Sequence, residues 1–136
     1  MKKQELQQFI LEFQLVDQQL KMLQQQLIML EQQAAEITSM IDNLEQLKSV
    51  KEKTKTFAQL GPGISIETTL DEPSRVLVNV GANIVVKKTL PETQDMLKSQ
   101  IDEIKKMTEN MQSEVQKLMA HGQYLRQEIQ KMHQNE

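Results

Sequence analysis

The chain has 136 residues, enough for one domain, but only three Phe, one Tyr and no Trp, so a thick globular core would lack its large fillers. Hydrophobic residues make up 38%, a share that suits a thin helical seam and falls short of a compact core. Sixteen basic and 19 acidic residues leave a net charge of −3, which gives no strong pull toward nucleic acid or an anionic membrane, and the lack of Cys excludes disulfide staples and thiolate metal sites. A reducing cytoplasm fits this composition and is the expected location. Near the N-terminus Lys2, Gln4, Glu5, Gln7 and Gln8 interrupt any apolar run, unlike a signal peptide. No run has the length needed to cross a bilayer.

From Leu6 to Leu44 an apolar seam recurs at alternating steps of three and four: Leu6, Phe9, Phe13, Val16, Leu20, Leu23, Leu27, Leu30, Ala34, Ile37, Ile41, Leu44. Such spacing marks a coiled-coil strand, which cannot bury its seam alone. After Leu44 the phase changes, and Leu47, Val50, Thr54 and Phe57 carry the stripe on. The spacing predicts a helix over residues 1–57 that stops before Gly61-Pro62-Gly63, which a helix interior would not tolerate. Ile10, Met22, Ile28, Met29 and Met40 lie beside the seam. They either widen the packed stripe or, near the N-terminus, form an adhesive surface.

Residues 58–88 read as a β insert. Ile64, Ile66, Thr68 and Leu70 alternate with polar neighbours, the period of a half-buried strand. Asp71-Glu72-Pro73-Ser74 turns the chain. Val76, Val78 and Val80 share one face of a second strand, Gly81-Ala82-Asn83 turns again, and Ile84 to Val86 form a short third strand. Two or three strands alone are marginal and leave edges open to pairing with other chains. Ile64, Ile66, Leu70, Val76, Val78, Val80, Ile84 and Val86 are therefore the expected oligomerisation residues. The alternative is a small cap folded over the helix ends of its own chain.

Residues 89–136 open with Thr89-Leu90-Pro91-Glu92, a capping box. The seam returns at Leu97, Ile101, Ile104, Thr108, Met111, Val115, Leu118, Gly122, Leu125, Ile129 and Met132. Gly122 costs about 1 kcal/mol of helix propensity and is expected to leave a gap beyond which the helix frays. If the second helix returns antiparallel, the terminal turns carry Leu6, Phe9, Ile10 and Phe13 on one side and Leu125, Ile129 and Met132 on the other. The expected fold class is mainly α: a long antiparallel helical coiled coil with a small β-hairpin insert, whose apolar faces would close an intersubunit sheet or β-barrel only with copies or partners.

Catalytic and cofactor patterns are missing from the sequence. His121 and His133 have no ligand-spaced neighbours, Tyr124 has no constellation, and the glycines at 61, 63 and 81 belong to turns rather than to a phosphate loop. Neither an enzyme nor a cofactor or metal site is expected.

The order helix, Gly/Pro link, strands, helix, and above all the stretch DEPSRVLVNVGANIVVKKTL from Asp71 to Leu90 leading into PET, resembles archaeal prefoldin alpha subunits over essentially the whole chain. The Gly61-Pro62-Gly63 approach to the first strand and the early Lys87-Lys88 depart from the usual pattern. The resemblance implies a hexamer of two alpha-type and four beta-type subunits whose hairpins join into a double barrel. It further implies that Leu6, Phe9, Ile10, Phe13, Leu125, Ile129 and Met132 bind unfolded protein without ATP, for delivery to a group II chaperonin. Two other readings stand beside it. One is a structural or tethering coiled coil with one folded partner. The other is a nucleic-acid organiser, which the mixed surface charge disfavours.

Overall fold

A computed structural model describes residues 2–135. Helix α1 spans Lys2–Leu47 and α2 spans Leu90–Gln134; between them run β1 (Thr54–Gly61), β2 (Ile64–Leu70), β3 (Arg75–Gly81) and β4 (Ile84–Thr89). The fold is mainly helical with a β-hairpin insert, as the seam and the strand periodicity imply. Met1 and Glu136, the outer bounds of the expected segments, lie outside the described residues. The chain divides into two compact units, Met1–Ala34 with Glu103–Glu136, and Ala35–Asp102.

In the first unit the two helices run antiparallel: Ile10 and Phe13 lie with Arg126 and Ile129, while Leu23 and Gln26 lie with Glu114 and Leu118. Every seam position from Leu6 to Ala34 on α1 and from Ile104 to Met132 on α2 is buried or half-buried. Leu125 is 0% exposed, and enclosing a leucine side chain contributes about 2 kcal/mol. The gap expected at Gly122 does not form. Gly122 is itself buried, a Cβ placed there would lie 3.5 Å from Val16 Cγ1, and α2 continues as helix past it. Close approach of Val16 fills the space that a larger seam residue would take.

In the second unit Ile37 and Leu44 of α1 and Leu90, Leu97 of α2 are buried. Gln94 is only 5% exposed, and its amide donates to the Ile41 carbonyl (3.4 Å) and to Glu45 Oε2 (2.9 Å). Both N–H donors of this buried amide are thus used, and both bind α1. Thr89 caps α2 as expected, its hydroxyl oxygen accepting the Glu92 N–H at 3.3 Å.

The first helix does not reach Phe57. It closes at Leu47 with three-residue-back bonds from the N–H groups of Lys48, Ser49 and Val50 to the carbonyls of Glu45, Gln46 and Leu47. Lys53 takes a left-handed φ of 60° and donates to the Leu70 carbonyl at 2.7 Å, which starts a strand. Phe57 is therefore part of β1, and Gly61-Pro62-Gly63 is a hairpin connection rather than a helix stop. Pro62 followed by Gly63 at φ 75° fits a type II turn.

The strands form two separate antiparallel pairs, β1 with β2 and β3 with β4. In the second pair Ala82 and Asn83 both have positive φ, 50° and 61°, as a two-residue type I′ turn requires. The Asn79 side-chain oxygen accepts the Gly81 N–H at 3.0 Å and steadies that turn. The last strand runs on through Lys87 and Lys88 to Thr89, beyond the Val86 limit read from hydrophobicity alone.

Candidate functional site

The strands present one exposed apolar surface. Ladder register sets the faces, because directly paired residues share a side. In the second hairpin Val76 pairs with Lys88 and Val78 with Val86 on one side, while Leu77 pairs with Lys87 and Asn79 with Val85 on the other. Register shifts between Asn79 and Gly81, so Val80 sits at a bulge and strict alternation ends there. Val76 and Val78 are half-buried and line, with Met40, Leu44, Met96 and Leu97, an open groove of about 350 Å³. Leu70 is half-buried, whereas Ile64, Ile66, Val80, Ile84 and Val86 are exposed.

The sequence reading missed further apolar residues of this surface. Phe57 is 71% exposed and Leu77 68%, and Leu60 and Val85 are exposed as well. Phe57 and Leu60 were hidden by the assignment of their segment to the helix and its link. Leu77 and Val85 lie on the opposite face from Val76, Val78 and Val86, and counting one face of each strand passes over them.

The second surface belongs to the terminal turns of the helices. Leu6, Phe9, Phe13, Ile129 and Met132 are half-buried and Ile10 is exposed. Ile10, Phe13 and Ile129 come together with Gln14, Arg126 and Gln130 around an open groove of about 590 Å³. Leu125 faces inward and contributes packing rather than surface. Leu11, Leu15, Met22 and Met29 add exposed apolar side chains along α1.

His121 Nε2 lies 3.0 Å from Glu12 Oε1, and its ring stacks on Tyr124 with centroids 6.3 Å apart. The Glu45 carboxyl is held below the usual glutamate range, first by the Gln94 amide and then by Lys48, whose Nζ lies 2.9 Å away. Among the described residues no group of three His, Asp or Glu side chains could hold a metal ion, and no helix is long and apolar enough to cross a membrane.

Comparison with known proteins agrees with this architecture. The chain is 25% identical over 132 residues to prefoldin subunit alpha of Archaeoglobus fulgidus, covering 97% of this chain and 96% of that one. It is 26% identical over 130 residues to prefoldin subunit alpha of Pyrococcus horikoshii, covering 93% and 88%. Its fold matches a chain in the cryo-EM structure of filamentous PFD from Methanocaldococcus jannaschii with a TM-score of 0.76 at 19% identity, over 85% of this chain and 95% of that one. The prefoldin subunit family model matches residues 16–135, and the chain belongs to that family.

Proposed function

We propose that this chain is a subunit of an ATP-independent chaperone that captures unfolded polypeptide at its terminal helical turns and passes it to a group II chaperonin. The strands join it to beta-type subunits, with two alpha-type and four beta-type chains in the complex, working in the cytoplasm. The observation that carries this reading is the division of exposed apolar surface between the two compact units. One surface lies on the strands, where unpaired edges favour joining to other chains. The other is the groove of Ile10, Phe13 and Ile129. Exposed Met22, Met29 and Met119 suit varied clients, because methionine side chains adapt to many shapes. Weak grips from several subunits would add through high local concentration.

The test is dilution of unrelated denatured proteins into buffer with the complex formed by this chain and a beta-type subunit. Light scattering should fall for every client, without nucleotide. Suppression of none of them, together with tight binding of one folded protein, would establish a tethering coiled coil instead.

A further inference from the structure

The chain carries no cysteine, so the thioethers of its nine methionines are its only oxidisable sulfur. Among the described residues Met22 and Met29 are the most open of them, 60% and 62% exposed, ahead of Met119, Met40 and Met107. Met96, Met111 and Met132 are half-buried. Both of the open thioethers lie on α1, about two turns apart and on one face of the helix. Each stands two residues past a half-buried seam leucine, Leu20 or Leu27, which turns it well away from the packed stripe. Met22 also lines an open groove of about 410 Å³ with Leu23, Gln26 and Leu118.

Hydrogen peroxide transfers an oxygen atom to a thioether sulfur: the O–O bond breaks, an S–O bond forms, the sulfide is oxidised to a sulfoxide and the peroxide is reduced to water. The product is polar where the thioether was apolar and adaptable. At a seam position that change would loosen the helix pair. At Met22 and Met29 it alters the outer face of α1 and leaves the seam as it is. We propose that Met22 and Met29 form a reversible oxidation site, at which peroxides weaken the hold of the complex on unfolded polypeptide. Reduction of each sulfoxide by two thiols, which leave as a disulfide with release of water, restores the thioether and the hold. The inference rests on the proposed capture of unfolded protein and adds its regulation.

The experiment treats the complex of this chain and a beta-type subunit with hydrogen peroxide, maps the added oxygen by peptide mass spectrometry, and titrates a labelled, denatured client before and after. Oxygen should appear on Met22 and Met29 ahead of Met96, Met111 and Met132, with helical circular dichroism unchanged. Client affinity should fall at least about threefold, and methionine sulfoxide reductase with a thiol should recover it. In the complex carrying Met22→Leu and Met29→Leu, which keeps apolar groups but no sulfur there, the affinities before and after treatment should agree. Met22→Gln with Met29→Gln places uncharged polar groups at both positions and should bind more weakly than wild type without any peroxide. Oxygen on the half-buried methionines as early as on Met22 and Met29 would overturn the site. An affinity that ignores oxidation of both residues, or that falls as far in the leucine variant, would overturn the regulation and leave the proposed function standing. An untreated complex that captures no client would overturn the proposed function and the regulation together.

Discussion

Single residues in this protein act through the helix-to-helix fit. Gly122 is the clearest case, because the helix around it has no use for a glycine's freedom. A Cβ there would meet Val16 Cγ1 at 3.5 Å, ordinary contact distance. Gly122→Ala is therefore expected to stabilise the chain by about 1 kcal/mol through helix propensity, read as a rise in the thermal midpoint. An unchanged or lower midpoint would show that the seam is tighter there than 3.5 Å implies. Glu45 acts through its charge. Its folded carboxyl titrates below the usual glutamate range because Gln94 and Lys48 favour the ionised form. A depressed carboxylate contributes stability that is fully present above its unfolded value and is lost as pH falls through the folded one. Glu45→Gln should thus be less stable than wild type at neutral pH, and the difference should vanish on acidification below the carboxylate range. Denaturant midpoints at neutral and acid pH measure it, and a difference that persists in acid would assign the loss to packing instead.

At the level of elements, the hairpins are proposed to govern assembly, and Val78 is the position to probe. It faces Val86 across the ladder and lines the groove with Met40 and Met96. Val78→Asp puts an unpaired charge into that half-buried setting, a cost of about 2 kcal/mol or more. Assembly should be lost while helical circular dichroism stays, and Val80→Asp, at the exposed bulge, should be milder. An unchanged sedimentation mass for Val78→Asp would mean that the helices join the subunits. The helical seams from Leu6 to Leu44 and from Leu97 to Met132 were legible in the sequence, Gly122 apart, since a 3–4 period over so many turns has one physical reading. The strand β1 was not. Leu47, Val50, Thr54 and Phe57 also fit helical spacing, and only pairing with β2, from Thr54 opposite Leu70 to Gly61 opposite Ile64, decides otherwise. Because β1 was concealed, the first hairpin was concealed with it. Of the terminal residues, Ile10, Phe13 and Ile129 do meet at a groove, but spacing alone could not show that Leu125 turns fully inward.

For the molecule as a whole, the balance of charge against exposed apolar surface decides what client capture should feel like. The net charge is only −3, and among the described residues the groove of Ile10, Phe13 and Ile129 has Arg126 as its one charged lining residue. Apolar contact is not screened by salt, whereas exposed ion pairs weaken as the screening length shortens from about 10 Å at 0.1 M to about 3 Å at 1 M. Client affinity of the assembled complex is therefore expected to fall by less than about threefold between those salt concentrations. It should also persist in EDTA and without ATP, since no phosphate-cradling loop is present in the sequence. Deleting the first dozen residues and the last dozen, about three turns from each helix, removes Leu6, Phe9 and Ile10 with Leu125, Ile129 and Met132. That variant should assemble normally and bind clients at least about tenfold more weakly, a loss of about 1.4 kcal/mol. Fluorescence titration of one labelled, denatured client against both complexes at both salt concentrations gives all four affinities. A tenfold loss in high salt for the full-length complex would assign the contact to the charged helix faces. Equal affinities for the two complexes would move the binding surface along α1, toward exposed Met22 and Met29.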